Sequence, residues 1–455
     1  MTAHVDPRSA AKTPFDLYRA IWRWHFYAGL LVLPFLITLS ITGALYLFKD
    51  EIDAIVHADV KRVAVQQSVQ TPAAQVSAAL DAHPGTALKY TAPATPESSA
   101  EVTVRTTNDE RLAVYVNPYT GRVLGALDDR GTIMWTVRKL HSFKLFGATP
   151  RKLIEITGGF AILLVLTGVY LWWPRTNARG GVVSVRGAPQ KRVFWRDLHA
   201  VTGLFVGAFI LFLAITGMPW SGVWGAQVNQ WANGNNFGYP AGVRTEVPMS
   251  STRLSEQAPT SWSLEQAHVP ESTKSTGQAD IGLNEAVATF ERLGLHSGFA
   301  VSLPTTPTGV YSGSVYPDEV SQQRVVHLDR YSGEPLVDMR YADYGPLGRW
   351  LEFGINVHMG QQFGRANQLL FLAVCVAIIL LCVSAGVMWW KRRPTGGLGV
   401  PPLPRDKRAF RGILAILVVG GVLFPLTGAA ILVMLLIDGF VVRPLQQRRL
   451  AARGA

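Results

Sequence analysis

Four histidines stand out in this sequence because each marks the same place in a repeated pattern. His25 and His199 are both followed four residues later by Gly and sixteen residues later by Ile-Thr-Gly. His141 and His358 are both followed six residues later by Gly and 31 residues later by Trp-Trp. An internal duplication can preserve helix packing, but packing alone gives no reason to preserve an imidazole. All four histidines are therefore candidate ligands.

Paired imidazoles suit one kind of metal centre in particular. The iron of a b-type haem takes two nitrogen donors on opposite faces of a flat macrocycle. Pairing His25 with His199 and His141 with His358 predicts two b-type haems whose iron atoms have these four residues as axial ligands. The competing interpretation of each residue is an ordinary hydrogen-bonded histidine near the end of a membrane span. An ionisable group inside a membrane is a functional candidate in either case.

Long apolar runs must carry these histidines. The chain has 455 residues, of which 48% are hydrophobic. Five apolar runs reach or exceed the roughly 20 residues that a helix needs to cross a bilayer. They lie near residues 26–48, 153–173, 200–220, 366–390 and 412–437. The expected fold is a mainly α-helical membrane protein with a four-helix transmembrane core from a duplicated two-span unit, plus a fifth hydrophobic segment.

The net charge of +12 is concentrated in short loops, which argues against nucleic acid as a partner. The positive-inside rule places the basic loops at 175–196 and 391–411, and the N-terminus, in the cytoplasm. His25 and His199 then lie at the cytoplasmic ends of their spans, and the other two histidines lie just outside. The basic residues nearest the histidines either anchor the spans or pair with haem propionates; they are Arg23, Arg196, Arg138 and Lys139.

This topology divides the chain into alternating segments. We expect a cytoplasmic arm (1–20), span 1 (21–48), an external module (50–131), a juxtamembrane segment with span 2 (132–174), a basic cytoplasmic loop (175–196), span 3 (197–220), an external loop and second module (221–345), a juxtamembrane segment with span 4 (346–390), a second basic loop (391–411), span 5 or a re-entrant hairpin (412–437) and a basic tail (438–455). The fifth run has basic residues on both flanks, so a single crossing would leave positive charge outside. A hairpin bent at Pro425 and Gly428 is the alternative, and whether this segment crosses the membrane stays open.

The two external modules are expected to be small α+β units. In the first, residues 73–82 predict a helix, and residues 101–105 and 112–116 predict two strands. The second repeats the Tyr-Thr/Ser-Gly turn of the first and has a predicted helix at 284–293. Residues 226–281 are rich in polar residues and predict a long loop or insertion. The unmatched histidines are expected at the surface of these modules, and the two cysteines are expected as small core residues of span 4: His57, His83, His268, His296, His327, Cys375 and Cys382.

Through several motifs, the chain resembles the PepSY-associated transmembrane family of iron-regulated bacterial inner-membrane proteins, which includes the ferric-siderophore reductases. These motifs are the Trp24–Gly29 start (Trp-His-Phe-Tyr-Ala-Gly), Asp-Leu before His199, Lys-Leu before His141, Asn-Val before His358, and the two Tyr-Thr/Ser-Gly turns, which are typical of PepSY modules. The resemblance covers nearly the whole chain. It implies a multi-pass protein of the bacterial inner membrane with two PepSY-like periplasmic modules.

The activity that the resemblance implies is electron transfer across the membrane to ferric iron held by a siderophore in the periplasm, which would serve iron release and uptake. The family pattern maps the haem ligands onto His25, His199, His141 and His358. The chain has no Gly-x-Gly-x-x-Gly after a strand, so the electron donor is expected to be separate, either a quinol or a cytoplasmic reductase. No catalytic residue beyond the haem ligands is identified.

Two other functions remain open at this stage. A non-redox protein could use its PepSY-like modules to bind a periplasmic partner or to sense a signal, with the spans as anchors. A quinol-linked cytochrome b could carry the same haems and serve a different acceptor. The sequence leaves the siderophore or other acceptor, the donor, the haem potentials and the oligomeric state undetermined.

Overall fold

The computed structural model describes residues 17–174, 181–240, 247–273, 279–394, 399–402, 414, 418–445 and 447–448. The predicted cytoplasmic arm (1–20) lies almost wholly outside these residues. Parts of the two predicted basic loops and of the basic tail also lie outside them. The structure therefore describes mainly the spans and the modules between them.

The described elements alternate between long helices and antiparallel strands. The helices are α1 (Leu17–Tyr46), α2 (Lys49–Val56), α3 (Ala58–Lys61), α4 (Pro72–Ala82), α5 (Ile133–His141), α6 (Ala148–Trp172), α7 (Arg192–Gly217), α8 (Trp224–Gly234), α9 (Leu254–Gln257), α10 (Gly282–Arg292), α11 (Pro346–His358), α12 (Gly364–Arg392) and α13 (Pro425–Ile437). The strands are β1 (Gly85–Thr91), β2 (Ala100–Thr106), β3 (Arg111–Val116), β4 (Val123–Asp128), β5 (Met249–Arg253), β6 (His268–Pro270), β7 (Ala300–Ser302), β8 (Tyr311–Val315), β9 (Arg324–Leu328) and β10 (Pro335–Arg340).

Five of the described helices are long and apolar enough to cross a membrane. They are Leu17–Tyr46, Ala148–Trp172, Arg192–Trp220, Gly364–Arg392 and Pro425–Leu445. The prediction of a mainly helical, multi-pass membrane protein is thereby confirmed. Several helices extend beyond the apolar runs because helical hydrogen bonding continues through polar end residues, whereas hydropathy falls at the first charge. The origin of the first four in a duplication stays a prediction.

The chain divides into two compact units, and the first unit contains most of the membrane helices. Unit 1 comprises Met1–Ile41, Gly147–Trp224 and Ala373–Ala455. Its main apolar core joins α1, α6, α7 and α12 through side chains such as Val206 and Ile378. Cys382 belongs to this core, and both cysteines are buried and unpaired. The expectation that they fill space in the core is confirmed.

The fifth apolar run changes direction partway along. Residues 418–423 are helical, Phe424 is not, and α13 begins at Pro425. A Cβ on Gly421 would lie 3.1 Å from the Cα of Gly428. Residues seven positions apart in a straight helix are separated by about 10 Å along the axis. The chain therefore folds back at Phe424, where two glycines permit close backbone contact.

The predicted boundaries of the fifth segment need correction. The span-length helix is Pro425–Leu445, not 412–437, because helical geometry continues from α13 through a π-helical turn at Asp438–Val442. The first part of the predicted tail (438–455) thus belongs to this helix. Buried Asp438 explains why hydropathy placed the end too early: a charged side chain with partners can lie inside a helix bundle.

Unit 2 is built on one continuous sheet. It comprises Thr42–Phe146 and Gly225–Leu372, and its eight strands run in the order β10-β9-β8-β7-β1-β2-β3-β4. All neighbouring pairs are antiparallel, and β1 pairs with β7 where the two halves join. The modules predicted at 50–131 and within 221–345 therefore share a sheet instead of standing apart. Pairing two edge strands satisfies backbone groups that separate modules would leave exposed.

Each half of the sheet carries one helix over the same core. Ala79 of α4 and Phe290 of α10 are fully buried with Val102 and Val326 from the strands. Thr71 caps α4 by accepting a hydrogen bond from a backbone N–H of the first turn. The helices predicted at 73–82 and 284–293 and the two strands of the first half are confirmed. Their assignment as PepSY-like modules stays a prediction.

The segment 226–281 is more ordered than the predicted loop. Its described residues form α8, α9 and a short β5–β6 hairpin. Trp262 and Leu264 are buried there, and Leu254 and Leu264 belong to a second apolar core. The sequence pattern failed because a few isolated apolar residues anchor this region, and isolated residues give no helical or strand periodicity.

One of the histidines expected at the surface is buried instead. His327 lies on β9 with no exposed surface, and its Nδ1 atom is 2.8 Å from the Ser312 hydroxyl oxygen. Both faces of β9 are covered, so a polar residue on this strand needs an internal partner. Burial lowers the pKa of His327 to about 4, which keeps the ring neutral.

Candidate cofactor site

His25 and His199 face each other inside unit 1, and we call them the first histidine pair. His25 lies on α1 and His199 on α7, and both positions are on membrane-length helices. The ring centres are 6.5 Å apart and the ring planes are nearly perpendicular, at 86°. Two helices that are far apart in the sequence thus bring these imidazoles to one place, as the repeat predicted.

Hydrogen bonds fix which nitrogen of each ring is free. The Thr167 hydroxyl donates to the Leu163 carbonyl oxygen at 2.7 Å and lies 2.8 Å from His25 Nδ1. Because that hydroxyl has one hydrogen, its oxygen accepts from His25 Nδ1–H. His199 Nδ1 is 3.0 Å from the Leu381 carbonyl oxygen, which can only accept. Both rings therefore carry the proton on Nδ1 and present an unprotonated Nε2, the form that binds a metal.

The spacing of the first pair fits an iron between the two rings. A metal bound to an imidazole stands about 2 Å from the nitrogen, and the ring centre lies about 1 Å behind it, so two axial imidazoles place their centres roughly 6 Å apart. The observed separation is 6.5 Å. The residues present can thus hold a metal that needs two nitrogen donors on opposite sides.

The donor set favours a metal that brings its own in-plane ligands. In the described part of the chain, no group of three or more His, Cys, Asp or Glu side chains comes together. A structural zinc site uses four protein ligands, whereas haem iron has four macrocycle nitrogens and takes two more. Two imidazoles per site therefore fit haem better than a bare ion.

His141 and His358 form the second histidine pair, in unit 2. His141 ends α5 and His358 ends α11, so each closes a short helix that precedes a membrane span. His141 Nδ1 lies 2.8 Å from the Thr42 hydroxyl oxygen. Burial and the neighbouring His141 lower the pKa of His358 to about 3. His358 is therefore neutral at physiological pH and able to bind a metal.

The structure also reveals supporting residues that the sequence analysis missed. Thr167 holds His25, and Ser384 lies 3.3 Å from His199 Nδ1. Thr167 follows His141 by 26 residues, and Ser384 follows His358 by the same interval. A search for hydroxyl residues at matched offsets in the repeat would have found both. Thr42 was visible as part of an Ile-Thr-Gly motif, but its role as a partner of a distant histidine was not.

Glycines near the first pair serve close helix approach. A Cβ on Gly168 would lie 3.4 Å from His25 Cε1, so a side chain there would crowd the ring. The nearest neighbours of Gly29 and Gly203 are Leu164 and Leu381, at 3.9 and 3.4 Å from the Cβ position. These two glycines therefore pack against α6 and α12, as small residues at interfaces between membrane helices commonly do.

Two of the four basic residues near the histidines are already paired inside the protein. Arg23 is buried and donates to the Asp438 carboxylate of the fifth span, which also accepts from the Tyr27 hydroxyl at 2.5 Å. Arg196 pairs with buried Asp197 at 2.6 Å. These arginines thus stabilise the helix ends. Arg138 instead lies over the Trp135 ring, 4.8 Å from its centre.

Comparison with known proteins supplies one match. The family model described as the PepSY-associated TM region matches residues 22–392. This range includes all four histidines and both halves of the sheet, and it ends before the fifth span. No curated protein matches the chain.

Proposed function

The chain belongs to the PepSY-associated transmembrane family, and from this premise we propose that it is a di-haem oxidoreductase of the bacterial inner membrane. The first histidine pair would bind one b-type haem and the second pair another. A haem supplies a one-electron couple at iron, which alternates between the ferric and ferrous states. The N-terminus would be cytoplasmic and the sheet of unit 2 periplasmic, as the basic loops favour.

The observation that carries this proposal is the geometry of the first pair. Its rings stand 6.5 Å apart, and the Nδ1 atoms of His25 and His199 are engaged by a hydroxyl and a carbonyl. An anchor helix has no need for two neighbouring imidazoles that are both held through Nδ1. Ligand histidines in metalloproteins commonly donate the other ring N–H to an oxygen in the same manner.

Ferric iron held by a siderophore is the proposed acceptor. Hard oxygen chelators hold ferric iron far better than ferrous iron, so adding one electron weakens the chelate without any bond hydrolysis. The chain's own residues would orient the imidazoles through hydrogen bonds to their Nδ1 atoms. The paired modules would present the chelate-binding surface, and the electron donor would be a quinol or a cytoplasmic reductase.

A haem count on the purified protein tests the proposal. We expect about two b-type haems per chain by the pyridine haemochrome method, and about one in His25→Ala and in His358→Ala. His296→Ala is the matched control, because His296 is an exposed histidine of unit 2, and it should retain both haems.

The result also separates the competing functions. A haem-free wild-type protein would exclude both redox functions and favour a non-redox binding or sensor protein. Two haems that ferric siderophores fail to oxidise would favour a quinol-linked cytochrome b with another acceptor. Stopped-flow oxidation of the dithionite-reduced protein by ferric siderophores makes that distinction.

A further inference from the structure

Glu352 is a buried carboxyl group on the helix that ends at His358. Only 3% of its surface is exposed. It lies six residues before His358 on α11, which corresponds to about 9 Å along the helix axis. The matched position six residues before His141 is Trp135, so the other half of the repeat has no carboxyl group there.

Among the described residues, Glu352 has dipolar hydrogen-bond partners but no cationic one. Its Oε1 atom accepts a hydrogen bond from the Ser263 backbone N–H at 3.2 Å, and the Trp262 N–H also contributes. Within the described ranges, no Lys or Arg lies at ion-pair distance from this carboxyl group. A buried carboxylate without a cation is costly, so its protonation state responds to small changes in nearby charge.

The other titratable groups near Glu352 do not compensate its charge. Glu265 lies close enough to raise its pKa further. Burial is the main reason why the pKa values of the Tyr316, Tyr341 and Tyr344 phenols are raised, and the charge of Glu352 adds to it. Asp318 and Glu319 lie near the C-terminal half of α11, where the Asp318 backbone carbonyl accepts from the Asn356 amide at 2.5 Å. Arg349, on α11 itself, interacts with Tyr341.

Burial is the main reason why the pKa of Glu352 rises, to about 7. The two backbone N–H groups oppose this rise and Glu265 adds to it. The group is therefore divided between the charged and neutral forms near physiological pH. Glu352 is buried on the same helix as the candidate ligand His358, and no cation is found beside it among the described residues. A change of charge at that ligand could therefore change the protonation of Glu352.

We propose that Glu352 takes up one proton when the metal centre of the second histidine pair is reduced. This inference rests on the proposed function. When the proposed quinol or reductase donor supplies one electron to a haem held by this pair, the site would gain one negative charge, and the Glu352 carboxylate would take one proton from bulk water to form an O–H bond. Oxidation by the acceptor reverses both changes. Unit charges roughly 10 Å apart in a protein interior shift a protonation equilibrium by about tenfold, which is enough to couple the two events.

A redox titration at several pH values tests this coupling. In the wild-type holoprotein, the midpoint potential of one haem should fall as the pH rises from 6 to 8, with a limit of about 59 mV per tenfold change in proton concentration. The midpoint potential of the haem at the first histidine pair should depend much less on pH. In Glu352→Gln, which keeps an oxygen acceptor for the Ser263 N–H, the pH dependence of the haem at the second histidine pair should disappear.

Two further variants identify the cause. Glu352→Asp keeps a carboxyl group and should keep a pH-dependent potential, whereas Glu265→Gln should shift the pH range and leave the slope intact. An unchanged slope in Glu352→Gln, with both haems present, would overturn the proton coupling and leave the reductase function standing. A flat profile in the wild type would do the same. Absence of haem would overturn both.

Discussion

The two histidine pairs repeat one pattern in different surroundings. The first pair lies on membrane-length helices, and its rings bond to a hydroxyl and a carbonyl of neighbouring helices. The second pair lies at the ends of short helices in unit 2, and its α11 member shares a helix with buried Glu352. The same ligand type can therefore serve two chemical tasks. Under the proposed function, both pairs would carry electrons, and only the second would have a buried carboxyl group on the helix of one of its histidines.

Removal of a ligand histidine should have the largest effect, because it should eliminate the haem of one pair and leave the other. His199→Ala should eliminate the haem of the first pair and retain that of the second, and His141→Ala should do the reverse. Low-temperature spectra and haem counts would assign each signal to a pair. If either substitution removed both haems while the protein stayed folded by circular dichroism, the two sites could not be treated as separate.

The buried ion pair beside the first site provides the next test. Asp438→Asn leaves the Arg23 guanidinium buried without its carboxylate, and breaking a buried pair costs about 3–5 kcal/mol. We expect a lower thermal unfolding midpoint in detergent and weaker retention of the haem next to α1. Glu285→Gln is the control, because its partner Arg292 is exposed and no measurable change is expected. Equal effects of the two substitutions would contradict the structural role assigned to Asp438.

Glu352 should give the second site a pH-dependent contribution to stability. Because the folded-state pKa of Glu352 is raised from 4.5 to about 7, the neutral form favours folding. This contribution is full below pH 4.5 and is lost as the pH rises through about 7, a total of about 3 kcal/mol. Between pH 4.5 and 8, the unfolding free energy of the wild type should therefore fall by this amount relative to that of Glu352→Gln, which has no carboxyl group to titrate. Parallel pH curves would argue against a raised pKa.

The sequence predicted elements more accurately than it predicted their assembly. Apolar length located the spans, and alternation with turn residues located strands β2 and β3, because these signals are local. The joining of β1 to β7 depends on backbone pairing between segments about 200 residues apart, which leaves no local pattern. The fold-back at Phe424 agrees with the hairpin alternative that the basic flanks and Pro425 suggested, whereas hydropathy alone does not report chain direction.

The site was predictable only in part. Repetition identified four histidines, and the structure brings His25 and His199 together as the pattern suggested. The partners of the rings were less visible because a Thr or Ser in a membrane helix usually bonds its own backbone. Glu352 was overlooked because a single acidic residue in a short amphipathic helix normally faces water. Burial, which the sequence does not report, is what makes it unusual.

Loss of a supporting hydroxyl should produce the smallest effects, and their order is informative. Thr167→Val removes the hydroxyl oxygen that lies 2.8 Å from His25 Nδ1, and loss of such a partner commonly weakens metal binding by about 10- to 100-fold. Ser384→Ala should weaken haem binding much less, because His199 Nδ1 keeps its hydrogen bond to the Leu381 carbonyl at 3.0 Å. Haem transfer rates to apomyoglobin would measure both. A larger loss in Ser384→Ala than in Thr167→Val would mean that the carbonyl does not hold His199, and the tautomer assigned to that ring would have to be revised.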